Sequence, residues 1–292
     1  MLRSIIGIAV AVTLSLLIAI AGSNNSNLYD GMPIFMLCAS VGFVLHWLGF
    51  IPAYLFQTEH YFDLIGSISY VATVALAFAL ALAPSFDTRG LVVATLICVW
   101  AVRLGSFLFI RVKKAGQDRR FTQIKTKFFR FLLTWTLGGT WVFITMAAGL
   151  AAMTSQSQSP VDAFLVVGVT LWVIGFGIEV VADQQKTAFR KDPANAEKFI
   201  RSGLWSISRH PNYFGEIILW IGIAVIALPV LAGWQWVTLV SPVFVSFLLL
   251  KVSGVPMLEN NAESRWGNDP EFRQYKAKTP TLIPYFGKAD LG

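Results

Sequence analysis

Charge is scarce in this 292-residue chain: Asp, Glu, Lys and Arg make up 13% of it, against roughly 25% in a soluble domain. With 55% of the residues hydrophobic, an ordinary soluble globular protein is excluded. Cysteine is scarcer. Cys38 and Cys98 are the two, each inside an apolar stretch, which excludes a secreted disulfide scaffold and predicts two inert buried thiols. No cluster of His, Cys and carboxylate has metal-ligand spacing, so no metal site is expected. A GxGxxG loop, a Walker loop, His-Glu-x-x-His and Cys-x-x-Cys are also missing, so a Rossmann domain does not hold any cofactor. The net charge of +7 would suggest nucleic acid in a soluble protein. Here its distribution reports topology, and no nucleic-acid partner is expected.

What the chain does have is apolar runs long enough to cross a hydrocarbon core of about 30 Å as helices. We place spans at about 5–21, 33–53, 63–83, 90–110, 128–152, 161–183, 213–231 and 235–251. The fold class is therefore all-α, a polytopic membrane bundle of seven to eight transmembrane helices. With the N-terminus inside, the cytoplasmic regions hold 21 of the 23 Lys and Arg. The positive-inside rule then predicts both termini in the cytoplasm. Arg89 falls in an outside loop and Arg103 lies within a span. Arg3, the apolar run and Ala19-Ile20-Ala21 also have the three regions of a signal peptide. Cleavage there leaves seven spans and the same orientation. Internal repeats are not evident, and the polar stretch Thr154 to Ser159 reads as an outside turn.

Ionisable residues inside a membrane cost about 2.5 to 3.5 kcal/mol on translocon scales and usually face a bundle interior or a wet cavity. Glu59, Asp63, Arg103, Glu179, Asp183, Asn212 and Glu216 all fall toward the cytoplasmic ends of their spans. This predicts a pocket open to the cytoplasm and closed on the other face. Glu59 and Asp63, Glu179 and Asp183, and Asn212 and Glu216 are each four apart, hence on one helix face. Lys186 and Arg190 extend the 179–183 stripe, for which the plain alternative is a helix end held by local ion pairs.

Ser202 to Glu216 is the most specific stretch. Pro211 suits the first turn of a helix, so the seventh span starts near His210. A helix N-terminus beside Arg209 and His210 makes an anion seat for which phosphate is the natural occupant. Asn212 and Glu216 then reach ribose or amide groups. The loop Arg111 to Phe121 has two readings, which hold together: a polybasic anchor on anionic headgroups, and a turn shaped by Gly116 and Asp118 from which Arg111 and Arg120 face phosphates. His46 is read as a satisfied bundle histidine, and Trp220, Trp234 and Trp236 as packing and interfacial belts.

Together these motifs resemble the steroid 5α-reductase family, in its bacterial membrane-reductase branch. The resemblance runs from about Gln57 to Phe286. It is carried by Gln57 to Gly66, Arg103 to Phe121, Glu179 to Lys186, Gly203 to Glu216 and the Gly-Val-Pro-Met-Leu-Glu element at 254–259. It implies a reductase domain at 57–292 preceded by membrane helices at 1–56, in the bacterial inner membrane with its cofactor site facing the cytoplasm. The implied activity is reduction by NADPH of a carbon–carbon double bond conjugated to a ketone, in a steroid-like or other apolar lipid that enters from the surrounding membrane lipids. The implied cofactor residues are Arg103, Arg111, Glu179, Asp183, Arg190, Asn212 and Glu216, with Arg209 and His210 added from the anion-seat argument. Glu59 and, more weakly, Gln57 would meet the ketone. Hydride addition builds negative charge on the carbonyl oxygen, which needs a hydrogen-bond donor. Glu59, its carboxyl kept protonated by an apolar wall, is the candidate, with Tyr70 as a second proton source. The chain departs from the family at Trp135-x-x-Gly138-x-x-Trp141, where relatives often carry Gln between the tryptophans. The rival reading is an S-adenosylmethionine-dependent methyltransferase of the isoprenylcysteine carboxyl methyltransferase-like type, which shares Arg-His-Pro-x-Tyr-x-Gly opening a membrane helix. That cofactor has no phosphate, and Glu179, Asp183 and Glu216 would suit its sulfonium.

Overall fold

The computed structural model describes residues 1–81, 87–116 and 121–285. Ten helices occur among them: α1 (Leu2–Gly22), α2 (Ile34–Leu55), α3 (Phe62–Ala81), α4 (Thr88–Ala115), α5 (Phe128–Thr154), α6 (Ala163–Lys191), α7 (Pro211–Ala227), α8 (Val240–Phe247), α9 (Val255–Trp266) and α10 (Pro270–Lys278). A two-stranded hairpin, β1 (Leu28–Tyr29) and β2 (Met32–Pro33), joins α1 to α2, and Leu28 pairs with Pro33 in antiparallel register. Asp30 and Gly31, at φ 49° and 77°, make the positive-φ turn that such a short hairpin requires. Eight segments among the described residues are long and apolar enough to cross a membrane. The chain is an all-α polytopic bundle. The eighth segment differs from a simple span. It opens with a 3-10 turn at Gly233–Leu239, passes through α8 and a π-turn at Leu248–Val252, and continues into α9. The side chains of Gln235 and Thr238 bond to the backbone at Ala232 and at Gln235 itself, which favours the tighter turn over α-helix at the start.

Helix ends follow local chemistry. Asp87 caps α4 by accepting from Gly90 N at 2.8 Å, and Gly116 at φ 76° ends it with N–H to Val112 O. Asp162 opens α6 by accepting from Leu165 N at 2.9 Å. At 28 and 29 residues, α4 and α6 run about 42 Å at 1.5 Å per residue, so both exceed the hydrocarbon thickness.

The chain forms two compact units: residues 1–166 with 223–241, and residues 167–222 with 242–292. In the first, α5 is the central helix, with 89% of its apolar window buried. Its small residues allow this. A methyl on Gly139 would lie 3.0 Å from Phe43 Cα, and one on Gly42 would lie 3.1 Å from Gly139 O, so α2 and α5 cross almost backbone to backbone. At one end an aromatic cluster packs Phe50, Phe121, Phe131 and Trp135 with Phe62 and Tyr54. Arg89 is buried at 1% exposure. It donates to Ile226 O at 2.6 Å and Pro160 O at 3.1 Å and pairs with Asp162 at 2.9 Å. It is therefore a tie for chain ends and not a loop charge. Of the two thiols, Cys38 is buried as expected, whereas Cys98 is half-buried on α4.

In the second unit α6 and α7 meet along glycines seven residues apart on both helices. A methyl on Gly215 would come 2.5 Å from Gly175 O and 2.7 Å from Glu179 N; one on Gly222 would come 2.6 Å from Gly168 O. Gly177, on the same helix as Gly175, faces open space. Gly215→Ala should therefore lower the thermal midpoint in detergent, with a cost of about 2 kcal/mol from overpacking. Gly177→Ala should leave it unchanged or raise it, since Ala is favoured over Gly in a helix by about 1 kcal/mol. Equal responses would contradict the crossing geometry.

Candidate functional site

The glycine crossing puts polar groups where the helices are closest. Glu179 lies one turn beyond Gly175 on α6, and Glu216 directly follows Gly215 on α7. Asp183, a turn beyond Glu179, accepts a hydrogen bond from Asn212 Nδ2 at 3.2 Å. Glu179, Asp183 and Glu216 are 2 to 6% exposed. Four of the residues expected at the cofactor thus sit on facing surfaces of α6 and α7. The acceptor Asn212 Oδ1 is buried without a hydrogen-bond partner. Arg190 lies exposed in the last turn of α6, where a cation complements the helix dipole.

The segment leading into α7 is pinned on both sides. Trp205 Nε1 donates to Ala182 O at 3.0 Å, Leu204 N to Gln185 Oε1 at 2.9 Å, and Lys186 lies over the Trp205 ring at 4.5 Å. On the other side, Ser208 Oγ donates to Leu282 O, Arg209 N to Pro280 O and Tyr285 N to Ile207 O. Tyr275 OH donates to Trp205 O at 2.6 Å, and burial pushes that phenol's pKa up.

Arg209 and His210 already have an anion, and it belongs to the chain. Glu259 of α9 accepts from His210 Nε2 at 2.8 Å and pairs with Arg209 at 3.2 Å. Arg209 also donates to Lys276 O and Thr281 Oγ1. The free-phosphate seat expected from the sequence is here a carboxylate-filled one, because Gly-Val-Pro-Met-Leu-Glu folds back to deliver Glu259. With Nε2 donating to that carboxylate, His210 Nδ1 is left as a buried nitrogen without a partner. Burial holds the His210 pKa below its ordinary 6.5, against the opposing pull of Glu259.

The first unit holds the remaining expected residues. Glu59 is 3% exposed and forms an ion pair with Lys125 Nζ at 2.8 Å. This corrects the expectation of a lone carboxyl against an apolar wall, because Lys125 reaches it from the segment before α5. Gln57 is exposed in the turn after α2, at φ 52°, with its amide donating to Tyr54 O at 2.6 Å. Tyr70 is buried on α3, edge-on to Trp100 at 5.2 Å. It lines a narrow cleft with His46, Phe62, Asp63, Trp100 and Trp141. Gly138, the position of departure from the family pattern, lines that cleft too. Arg103 and Arg111 each lie against the Phe107 ring on α4, 5.4 and 5.9 Å from its centroid. His60 Nε2 lies 2.7 Å from Gly116 O. Asp118 and Arg120 lie outside the described residues.

Three residues without an assigned role stand at these places: Lys125, Glu259 and His46. Glu259 is 49 positions from His210, beyond the reach of helical periodicity, although its motif was visible. Among the described residues no group of three or more His, Cys, Asp or Glu is arranged to hold a metal ion.

A family model described as "Protein of unknown function (DUF1295)" matches residues 49–279. The chain is 36% identical over 70 residues to "Steroid 5-alpha-reductase DET2" of Gossypium hirsutum, covering 24% of this chain and 25% of that protein. It is 29% identical over 118 residues to "3-oxo-5-alpha-steroid 4-dehydrogenase 1" of Rattus norvegicus, 40% of each. It is also 29% identical over 118 residues to "Probable O-methyltransferase ustE" of Ustilaginoidea virens, 34% of this chain and 42% of that one. The chain thus spans a quarter to about two fifths of the length of these curated relatives. No solved structure matches.

The depressed His210 pKa has a sign. The unfolded chain takes up a proton near pH 6.5 that the folded chain resists, so acid favours unfolding. The thermal midpoint should fall as pH drops from 7.5 toward 5, and the slope should flatten in His210→Gln. An unchanged slope in that variant would show that another group carries the acid sensitivity.

Proposed function

Since this chain belongs to the DUF1295 family, we propose that it is an integral membrane oxidoreductase, using NADPH to reduce a carbon–carbon double bond conjugated to a ketone in a steroid-like or other apolar lipid. The observation that carries this reading is the buried set of Glu179, Asp183, Asn212 and Glu216 at the α6–α7 crossing, in a chain similar to steroid 5α-reductases. The orphaned acceptor Asn212 Oδ1 fits a donor-bearing part of a dinucleotide, its carboxamide or its ribose hydroxyls. Asp183, Glu179 and Glu216 suit the same donors. When bound, NADPH supplies the hydride.

The chain's own residues do the rest. In the second unit, Arg209 and His210 serve through Glu259, fixing the first turn of α7 so that Asn212 and Glu216 keep their positions. Arg190 offers a cation at the end of α6. In the first unit, Arg103 and Arg111 are cations of the kind that pairs with a phosphate. The apolar substrate comes from the lipid, and the aromatic surroundings of Tyr70 keep bulk water away, which strengthens a donor acting there. Charge growing on the ketone oxygen needs a hydrogen bond there. Tyr70 in the cleft wall supplies an O–H, and Glu59, paired with Lys125, is the other candidate at the ketone, with Gln57 exposed in the turn before it. Both termini and the cofactor-binding ends face the cytoplasm of a bacterial inner membrane, on the positive-inside argument.

The second reading is an S-adenosylmethionine-dependent membrane methyltransferase. The match to ustE favours it, and so does the Glu259 pairing, which leaves Arg209 and His210 little charge for a pyrophosphate.

Thermal stabilisation of the detergent-purified protein by NADPH, NADH and S-adenosylmethionine in parallel separates the two, since ligand at 100 times its dissociation constant adds about 2.7 kcal/mol. NADPH should shift the midpoint. A shift with S-adenosylmethionine alone would overturn the reductase. Glu216→Ala should weaken NADPH about tenfold, or ~1.4 kcal/mol, whereas Glu59→Gln should leave binding intact and slow turnover. Equal loss of binding in both would defeat that division of roles.

A further inference from the structure

One polar group of the first unit is unused by the chemistry above. His46 of α2 is 1% exposed. Its Nδ1 lies 2.7 Å from Gly42 O. The other polar neighbour of that nitrogen, Ser69 Oγ at 3.5 Å, commits its own hydrogen to Ile65 O at 2.7 Å. Both neighbours of Nδ1 are therefore acceptors, and charging a ring buried this deeply is costly. The imidazole is then neutral, with the proton on Nδ1 and the lone pair on Nε2. Phe62 and Trp135 pack edge-on to the ring at 5.9 and 6.1 Å, and a methyl on Gly138 would fall 2.6 Å from Nε2. The ring is wedged in place, and nothing large approaches its second nitrogen.

The cleft beside the ring sets the size of what can approach. It encloses about 20 Å³, where a single water needs about 10 to 15 Å³. A lipid chain or a fused ring does not fit. Most of the wall is apolar, made by Phe62, Trp100, Leu104, Leu108, Trp141 and Val142. A wholly apolar cavity of this kind stays dry, whereas a water is held where two to four polar groups converge. Four residues supply them here. Asp63, Ser67 and Tyr70 stand at i, i+4 and i+7 on α3, hence on one face of that helix, and line the cleft together with His46. His46 Nε2 and the Asp63 carboxylate accept, and the Ser67 and Tyr70 hydroxyls can donate. One water, with two hydrogens and two lone pairs, matches that set.

We propose that this cleft is the site of one bound water, which donates to His46 Nε2 and accepts from the hydroxyls of α3, and that His46 acts through it as a positioning residue for the Tyr70 O–H. A bound water makes fixed hydrogen bonds inside a dry wall, so it orients a hydroxyl without solvating the surroundings. The water site stands on the cleft alone. The role toward Tyr70 rests on the reductase reading, in which that O–H meets the growing charge.

The chain has three histidines, so solid-state NMR of protein labelled with nitrogen-15 histidine reads His46 directly. The sample is the full chain in lipid bilayers without NADPH, with His60→Gln and His210→Gln assigning the other two signals. His46 should show the Nδ1–H tautomer, and magnetisation should pass from water protons to its Nε2. Tyr70→Phe should shift the Nε2 signal, because it removes a partner of the water. Tyr54→Phe, in the aromatic cluster outside the cleft, should not. A proton on Nε2, no transfer from water, or an Nε2 signal unmoved by Tyr70→Phe would overturn the proposal. If Tyr70→Phe does not fold, the tautomer and the water transfer in the unaltered protein decide. Water at His46 in a protein that never oxidises NADPH would remove the reductase and leave the water site standing.

Discussion

The arrangement of the second unit depends on how closely α6 and α7 approach. In lipid there is little hydrophobic gain in pressing two apolar helices together, so association rests on packing and on polar groups satisfied between them. Gly168, Gly175, Gly215 and Gly222 take the side chain away at four places along the seam, and there the backbones close to van der Waals contact. Glu179, Asp183, Asn212 and Glu216 follow from that closeness. With bulkier residues at the seam the same four groups would stand farther apart and could not address one small ligand. The polar cluster is thus a consequence of the glycines.

A second constraint runs through both units: a charge removed from water must find its partner within the protein. Arg89 meets two carbonyls and Asp162; Glu59 meets Lys125; Arg209 and His210 meet Glu259. Arg89 and Glu259 lie on helices and pair with residues outside them, whereas Glu59 and Lys125 both lie in the segments that lead into α3 and α5. These pairs tie loops to helices or to one another. His210 Nδ1 is left as an acceptor only because Nε2 donates to Glu259.

Much of the architecture was readable from composition. Eight apolar segments, the start of α7 at Pro211 and the four-residue spacing that aligns Glu179 with Asp183 depend on local periodicity, and sequence carries periodicity directly. The partner choices were not readable. Glu259 and Lys125 reach their partners across 49 and 66 positions, and nothing in a helical repeat links such positions. The same blindness misplaced Glu59, expected against an apolar wall, whose neighbour in space is Lys125.

The start of α7 also shows what a helix N-terminus does when the chain fills it. Its partial positive charge and the adjacent Arg209 and His210 attract an anion. With Glu259 in place, that attraction is spent on holding α9 against the first turn. The buried atoms of this unit without a hydrogen-bond partner include the acceptors Asn212 Oδ1 and His210 Nδ1. Acceptors read hydroxyls, amides and amines, and they repel phosphate. On the reductase reading a dinucleotide meets this unit through its ribose or carboxamide, and its phosphates need cations. S-adenosylmethionine makes no such demand, since its sulfonium and ribose are both satisfied by acceptors. The two candidate cofactors are thus separated by whether the basic residues are needed for binding or serve topology alone.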